Sequence, residues 1–228
     1  MKKVIACLLV SFTLALPAPG WCWHDETHIA IAKVAGYKKW YNATGADMTK
    51  IKAGNIESNN HYVNNPQGTV VTAEMVLEQV DRYNKPDDAK GHLYGAILGA
   101  LREYRTTTRK GKYAEYHLAF AAHYIGDLSQ PLHHILYDEY NKKNHATTDA
   151  TINDEVMKHL DRIKIYPIEI SSEQDLAREI ARIANQAIYL GYALEKEGRL
   201  LTKSEAYQQI SHSASLFRAV LVWLGKKK

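Results

Sequence analysis

Cysteine is scarce in this 228-residue chain, and Cys7 and Cys22 are the two that occur. A domain that starts just after them has no internal disulfide, which leaves packing, or packing with metal, to hold it together. Long apolar runs are missing too. The longest, Val4 to Leu16, is shorter than the roughly 20 residues a bilayer span needs, so no transmembrane segment is expected in the mature chain. There is no internal repeat, low-complexity tract or Pro/Gly-rich linker of the kind that separates two domains. Sustained alternation of polar and apolar residues, the mark of half-buried strands, is absent as well. So are the glycine-flanked serine and cysteine motifs of nucleophilic hydrolases. The formal net charge is +4, and it falls to +2 without Lys2 and Lys3. That is too little for a duplex nucleic-acid groove, and the terminal Lys226, Lys227 and Lys228 read as a solvated tail.

What is present is helical periodicity in a chain 46% hydrophobic, enough for one sizeable core. Residues 25–41, 72–83, 86–109, 112–138, 171–198 and 202–225 each carry apolar residues at three- and four-residue spacing. Thr72 and the serines at 171 and 172 are N-terminal caps, Thr202 with Glu205 forms a capping box, and Gly198 and Gly225 are stops. The expectation is an all-α, multi-helix single domain over residues 23–228, with polar loops near 41–70 and 138–146.

The first residues, MKKVIACLLVSFTLALPAPGWCW, have a basic start, an apolar stretch and a small, proline-containing end. That is the layout of a secretory signal peptide, expected over residues 1–22, with export to the periplasm or medium. Cleavage before Trp21 or before Trp23 both place small residues ahead of the cut.

The run HYIGDLSQPLHH, residues 123–134, concentrates polar groups in an apolar segment. His123 and Asp127 stand four apart, about 400° around a helix, so both lie on one face and can touch one metal ion. An i,i+4 ion pair would look the same. Pro131 adds to the argument, because a proline within a helix kinks it and a kink there re-aims His133 towards Asp127. Gly126 leaves room beside that aspartate. His145 and Asp149 repeat the spacing, Trp23 and His28 lie upstream in WCWHDETH, and Glu57 and His61 lie in ESNNHYVNN. Imidazole with carboxylate is the usual ligand set of catalytic zinc. His24, His92, His117, His134, His159 and His212 read as ordinary surface or core histidines, and the tyrosines from Tyr104 to Tyr116 as helix packing.

The central run resembles the signature of bacterial zinc-dependent phospholipases C, which share a fold with the fungal single-strand-specific zinc nucleases. The order of the motifs is similar across nearly all of the mature chain. The resemblance implies three zinc ions in a cleft between helices. One would be held by His61, His123, Asp127 and an upstream acid, the second by His133, His145 and Asp149. The third would take His28 with the amine and carbonyl of a free N-terminal Trp23, Asp127 bridging it to the first. The upstream acid is Glu57, or Asp47, or Asn55 standing in its place. Glu57 and Asp127 are the implied catalytic carboxylates, Glu57 as proton acceptor. The implied activity is hydrolysis of a phosphoester by metal-activated water, phospholipase C-like. A single-strand nuclease or nucleotidase and an exported zinc-binding protein without turnover are the alternatives. The partner would be a phospholipid, or a single-stranded nucleic acid or nucleotide, and the protein a monomer. After the central motif, HILY departs from the phospholipase pattern of a small residue and an asparagine.

Overall fold

The computed structural model describes residues 23–107 and 112–225, and the expected signal peptide lies outside them. These residues form one all-α domain without strands, save an isolated parallel bridge between Asn65 and Ile135. The helices are α1 (Asp25–Ala35), α2 (Gly45–Ala53), α3 (Asn55–Ser58), α4 (Ala73–Glu78), α5 (Leu93–Thr106), α6 (Lys112–Asp127), α7 (Glu139–Asp149), α8 (Asn153–Val156), α9 (Glu173–Glu197) and α10 (Lys203–Trp223). Short 3-10 turns lie at Trp40–Asn42, Gln79–Arg82, Pro131–His133 and Leu160–Arg162. No helix among the described residues is long and apolar enough to cross a membrane.

The apolar stripes decide the packing. α5 lies along α6, and α9 and α10 close the same core, which holds Leu93, Ile97, Leu118, Ile125, Ile180 and Phe217. Trp23, Ile31, Val156, Tyr207 and Ile210 form a smaller core where α1 meets α8 and α10. Both expected capping systems are present: Ser172 with Asp175 opens α9, and Thr202 with Glu205 opens α10.

Several boundaries differ from the sequence expectation. α1 stops at Ala35 because Gly36 takes a left-handed conformation, φ 91°, that ends the helix. α5 begins at Leu93, not near Pro86. The expected helix over 112–138 ends at Asp127, and Pro131 opens a separate 3-10 turn at its first position, where its missing N–H costs nothing. His133 is thus re-aimed by the end of the helix and not by a kink within it. The expected loop 41–70 contains α2 and α3, and the expected loop 138–146 belongs to α7. Of the tyrosines, Tyr104 packs against the core, whereas Tyr113 and Tyr116 are exposed.

Candidate metal centre

α6 ends in the middle of the molecule, and five other segments bring imidazole and carboxylate groups to that point. α1 supplies His28, α2 Asp47, the turn after α3 His61, the Pro131–His133 turn His133, and α7 both His145 and Asp149. Three groups have ligand atoms close enough to hold a metal ion: His28 with His123 and Asp127, Asp47 with His61 and His123, and His133 with His145 and Asp149.

Asp127 joins them. Its Oδ2 lies 2.8 Å from His61 Nδ1 and 3.4 Å from His123 Nε2. Its Oδ1 lies 3.4 Å from His28 Nε2 and 3.7 Å from His133 Nδ1. Asp47 Oδ1 is 3.5 Å from His123 Nε2 and 3.8 Å from His61 Nδ1. The His28 and His123 rings stack with centroids 3.7 Å apart, and those of His133 and His145 with centroids 5.0 Å apart. Gly126 makes the first stack possible. A Cβ there would overlap His28 Nδ1 and stand 2.8 Å from its Cε1, so the space beside Asp127 is filled by the His28 ring.

Each inward-facing ring nitrogen is selected by what holds the other one. A carbonyl oxygen can only accept, so His123 Nδ1 donates to Ala43 O at 2.8 Å and His133 Nδ1 to His61 O at 2.7 Å. In the neutral ring this puts the lone pair on Nε2, and both Nε2 atoms are buried and without a hydrogen bond. Asn141 donates its amide to the Leu132 and Leu136 carbonyls, which turns its oxygen to His145 Nδ1, 2.7 Å away. His61 is held the opposite way round, with Nε2 3.1 Å from Glu57 Oε1 and Nδ1 towards Asp127 and Asp47. Gln130 bonds one oxygen of Asp149 and leaves Oδ2 buried without a hydrogen bond. His28 likewise makes none. Buried polar atoms without partners cost folding free energy, on the order of 1–3 kcal/mol each, and this many on one converging surface fit a cation. These buried His/Asp groups are suited to hold metal ions.

The electrostatics differ across the centre. Burial alone would raise the Asp127 carboxyl, but the His123, His133 and His28 imidazoles around it hold it well below the usual carboxylate range. Burial would lower His123, yet Asp47 and Asp127 keep it well above its ordinary value. His28 is pushed down by burial and by the His123 charge. His133 falls well below its usual value through burial, and His145 is pushed down to about 4 by burial with Lys50 adding to it. Burial raises Asp149 well above the carboxylate range despite its Gln130 bond.

Of the expected ligands, His28, His61, His123, Asp127, His133, His145 and Asp149 lie in the three groups, and Glu57 does not. Glu57 is buried, but its carboxylate lies behind His61, where Tyr124 Oη (2.6 Å), His61 Nε2 and Asn60 Nδ2 (3.4 Å) occupy it. It faces none of the three groups, and the ring of His61 stands between it and them. Asp47 takes the upstream acid's place, and Asn55 is exposed at the start of α3. Trp23 is fully buried, and its neighbour's amide, His24 N, lies 3.5 Å from Asp149 O, beside the His133–His145–Asp149 group and not the His28 group expected for Trp23. His92 and His134 are buried structural histidines, bonded to Asp88 and Asn60 and to Tyr94 and Leu128 O. Sequence reasoning missed Lys50, Gln130, Tyr124 and Asn141. For Asn141 a signal existed: Asn141, His145 and Asp149 follow one another at four-residue spacing on one helical face. No protein-family model matches this chain, and no curated protein matches it either.

Proposed function

We propose that this chain is an exported, zinc-dependent phosphoester hydrolase that holds three metal ions. The observation that carries the proposal is the convergence of three His/Asp groups on the two oxygens of Asp127, with the facing nitrogens of His123 and His133 freed by backbone carbonyls. Neutral imidazole and carboxylate in a buried setting suit zinc better than calcium or magnesium, which favour all-oxygen shells.

Metal ions held by these groups would supply an acidified water and stabilisation of charge on the phosphoester oxygens. The residues supply the rest. Asp127 spans two groups and fixes their separation. Asp47 balances charge on the half-exposed side and holds Lys50, whose ammonium is 2.8 Å from its Oδ1. The Lys50 charge is felt at His133, His145 and Asp149, so an anionic phosphate entering beside Asp47 would meet a cation already in place. Burial of the remaining ligands excludes bulk water and strengthens each of these interactions.

The substrate favoured by the HYIGDLSQPLHH run is a phospholipid headgroup ester. A second reading, cleavage of single-stranded nucleic acid or nucleotides, is favoured by two features: Trp23 stands five residues before His28, and the carboxylate on α7 is an aspartate, Asp149. Zinc analysis of the processed protein, followed by turnover of phosphatidylcholine against single-stranded DNA, tests both readings. About three zinc per chain with phosphatidylcholine hydrolysis is the expected result. Nuclease activity alone selects the second reading, and less than one zinc after zinc-replete refolding removes the metal reading.

A further inference from the structure

Glu57 is the one buried carboxylate near the centre that faces no metal-sized group, yet it is fully engaged. Its Oε1 accepts from Tyr124 Oη at 2.6 Å and lies 3.1 Å from His61 Nε2, and Asn60 Nδ2 approaches Oε2 at 3.4 Å. Asn60 in turn bonds Asn84 at 2.9 Å and His92 at 2.9 Å, and His92 bonds Asp88, so the carboxylate is anchored through a buried polar chain to α5. The His61 backbone is held as well, because its carbonyl accepts His133 Nδ1. His61 is therefore oriented from both ends.

We propose that Glu57 is a positioning residue for the metal centre: by accepting the Nε2–H of His61 it commits that ring to offer Nδ1 to the Asp47–His61–His123 group, and its charge makes the ring a stronger donor. The proposal rests on the metal reading above and adds to it a residue that touches no metal. The chemistry follows from what holds each histidine. Neutral carbonyls hold His123 and His133, whereas a carboxylate holds His61, and a carboxylate partner both fixes the tautomer and raises ligand basicity. Two H-bonding oxygens already occupied by Tyr124 and Asn60 leave Glu57 one remaining task, the His61 N–H.

The test uses the purified chain stripped of zinc and reloaded with cadmium-113, with 15N-labelled histidine, and compares wild type with Glu57→Ala and Glu57→Gln. In wild type the cadmium coupling should appear at Nδ1 of His61 and at Nε2 of His123. Glu57→Ala should weaken cadmium at the Asp47–His61–His123 group by about 10–100-fold, the usual effect of removing such a partner. The resonance of the His133–His145–Asp149 group should not move. Glu57→Gln keeps the shape and an acceptor oxygen but loses the charge, so it should show an intermediate loss. If Glu57→Ala does not fold, that intermediate loss in a folded Glu57→Gln protein supports the proposal. Coupling to His61 Nε2, or an unchanged cadmium constant in the folded variants, overturns the proposal while leaving the metal reading intact. No cadmium bound to wild type at any group overturns both.

Discussion

Within a single helix, histidine stands four residues before aspartate twice, His123–Asp127 on α6 and His145–Asp149 on α7, and the two pairs live in opposite settings. The α6 pair sits in an apolar helix among Ala122, Tyr124, Ile125 and Leu128, all buried. His123 is steered by a carbonyl 80 residues away in sequence, Ala43 O. Charges from three other segments surround the pair, so His123 is held up and Asp127 down. The α7 pair sits on a polar helix, and its histidine is steered from within that helix by Asn141. Burial dominates there, with His145 pushed down to about 4 and Asp149 up. Identical spacing therefore gives one pair whose orientation depends on the whole fold and one whose orientation is mostly local. The α6 pair should be sensitive to distant changes, the α7 pair to changes on its own face.

The largest effect should come from the shared carboxylate. Asp127→Asn removes a charge that faces four imidazoles, so it should cost more than one zinc per chain and abolish turnover, while Asp149→Asn should cost about one. Metal analysis of the two purified variants checks this. Equal losses would mean that Asp127 does not bridge groups.

Gly126→Ala should come next, and it attacks the α6 side alone. The added methyl overlaps His28, and overpacking of this kind costs roughly 1–3 kcal/mol. The expected outcome is a lower melting temperature together with loss of the metal held by His28, and the α7 group should keep its own. Retention of full zinc content would show that His28 is not needed to hold it.

Asn141→Ala is the corresponding change on α7, and a smaller one. It removes the acceptor of His145 Nδ1 and the two bonds Asn141 gives to the Leu132 and Leu136 carbonyls. Zinc at the His133–His145–Asp149 group should weaken about 10-fold, measured by chelator competition. Loss at the Asp47–His61–His123 group instead would break the claim that the α7 pair is locally set.

The same contrast explains what the sequence did and did not disclose. Helices α6, α9 and α10 were legible because their buried faces are apolar and their caps are the usual ones, Ser172 and Thr202 among them. α2 was not. The residues it turns inward are Ala46 with the half-buried Asp47 and Lys50, so no apolar stripe marks it, and Asp47 ranked behind Glu57 as the upstream acid. The buried face of α7 is Asn141, His145, Thr148 and Asp149, which reads as a polar loop. Short helices whose inward face is made almost wholly of the polar centre, as in α2 and α7, lack the apolar periodicity by which helices are recognised. The pairs His123–Asp127 and His145–Asp149 stayed visible because i,i+4 spacing survives whatever surrounds it. Glu57 misled for a related reason: Glu57 and His61 do share a face and do touch, but across the ring nitrogen that points away from the centre.

The smallest expected effect lies far from the centre, in the cap of α10, and it separates scaffold from site. Thr202 accepts from the Glu205 amide, and the Glu205 carboxylate accepts from Thr202 N at 2.9 Å and from Arg199 at 2.8 and 2.9 Å. Removing the cap with Thr202→Ala should cost about 1 kcal/mol, roughly 2–4 °C in melting temperature for a chain of this size, with zinc content unchanged. Glu205 adds a pH signature. The Arg199 hydrogen bonds, with help from Thr202, outweigh burial and hold its carboxyl down to about 2, below its ordinary 4.5. A carboxyl depressed by folding stabilises the folded state fully above its unfolded value and loses that contribution as pH falls towards its folded one. Wild type should therefore exceed Glu205→Gln in melting temperature above about pH 4.5, and the gap should close as the pH approaches 2. A gap that stays constant across that range would show that the Glu205 charge contributes nothing, and that the cap acts through Thr202 alone.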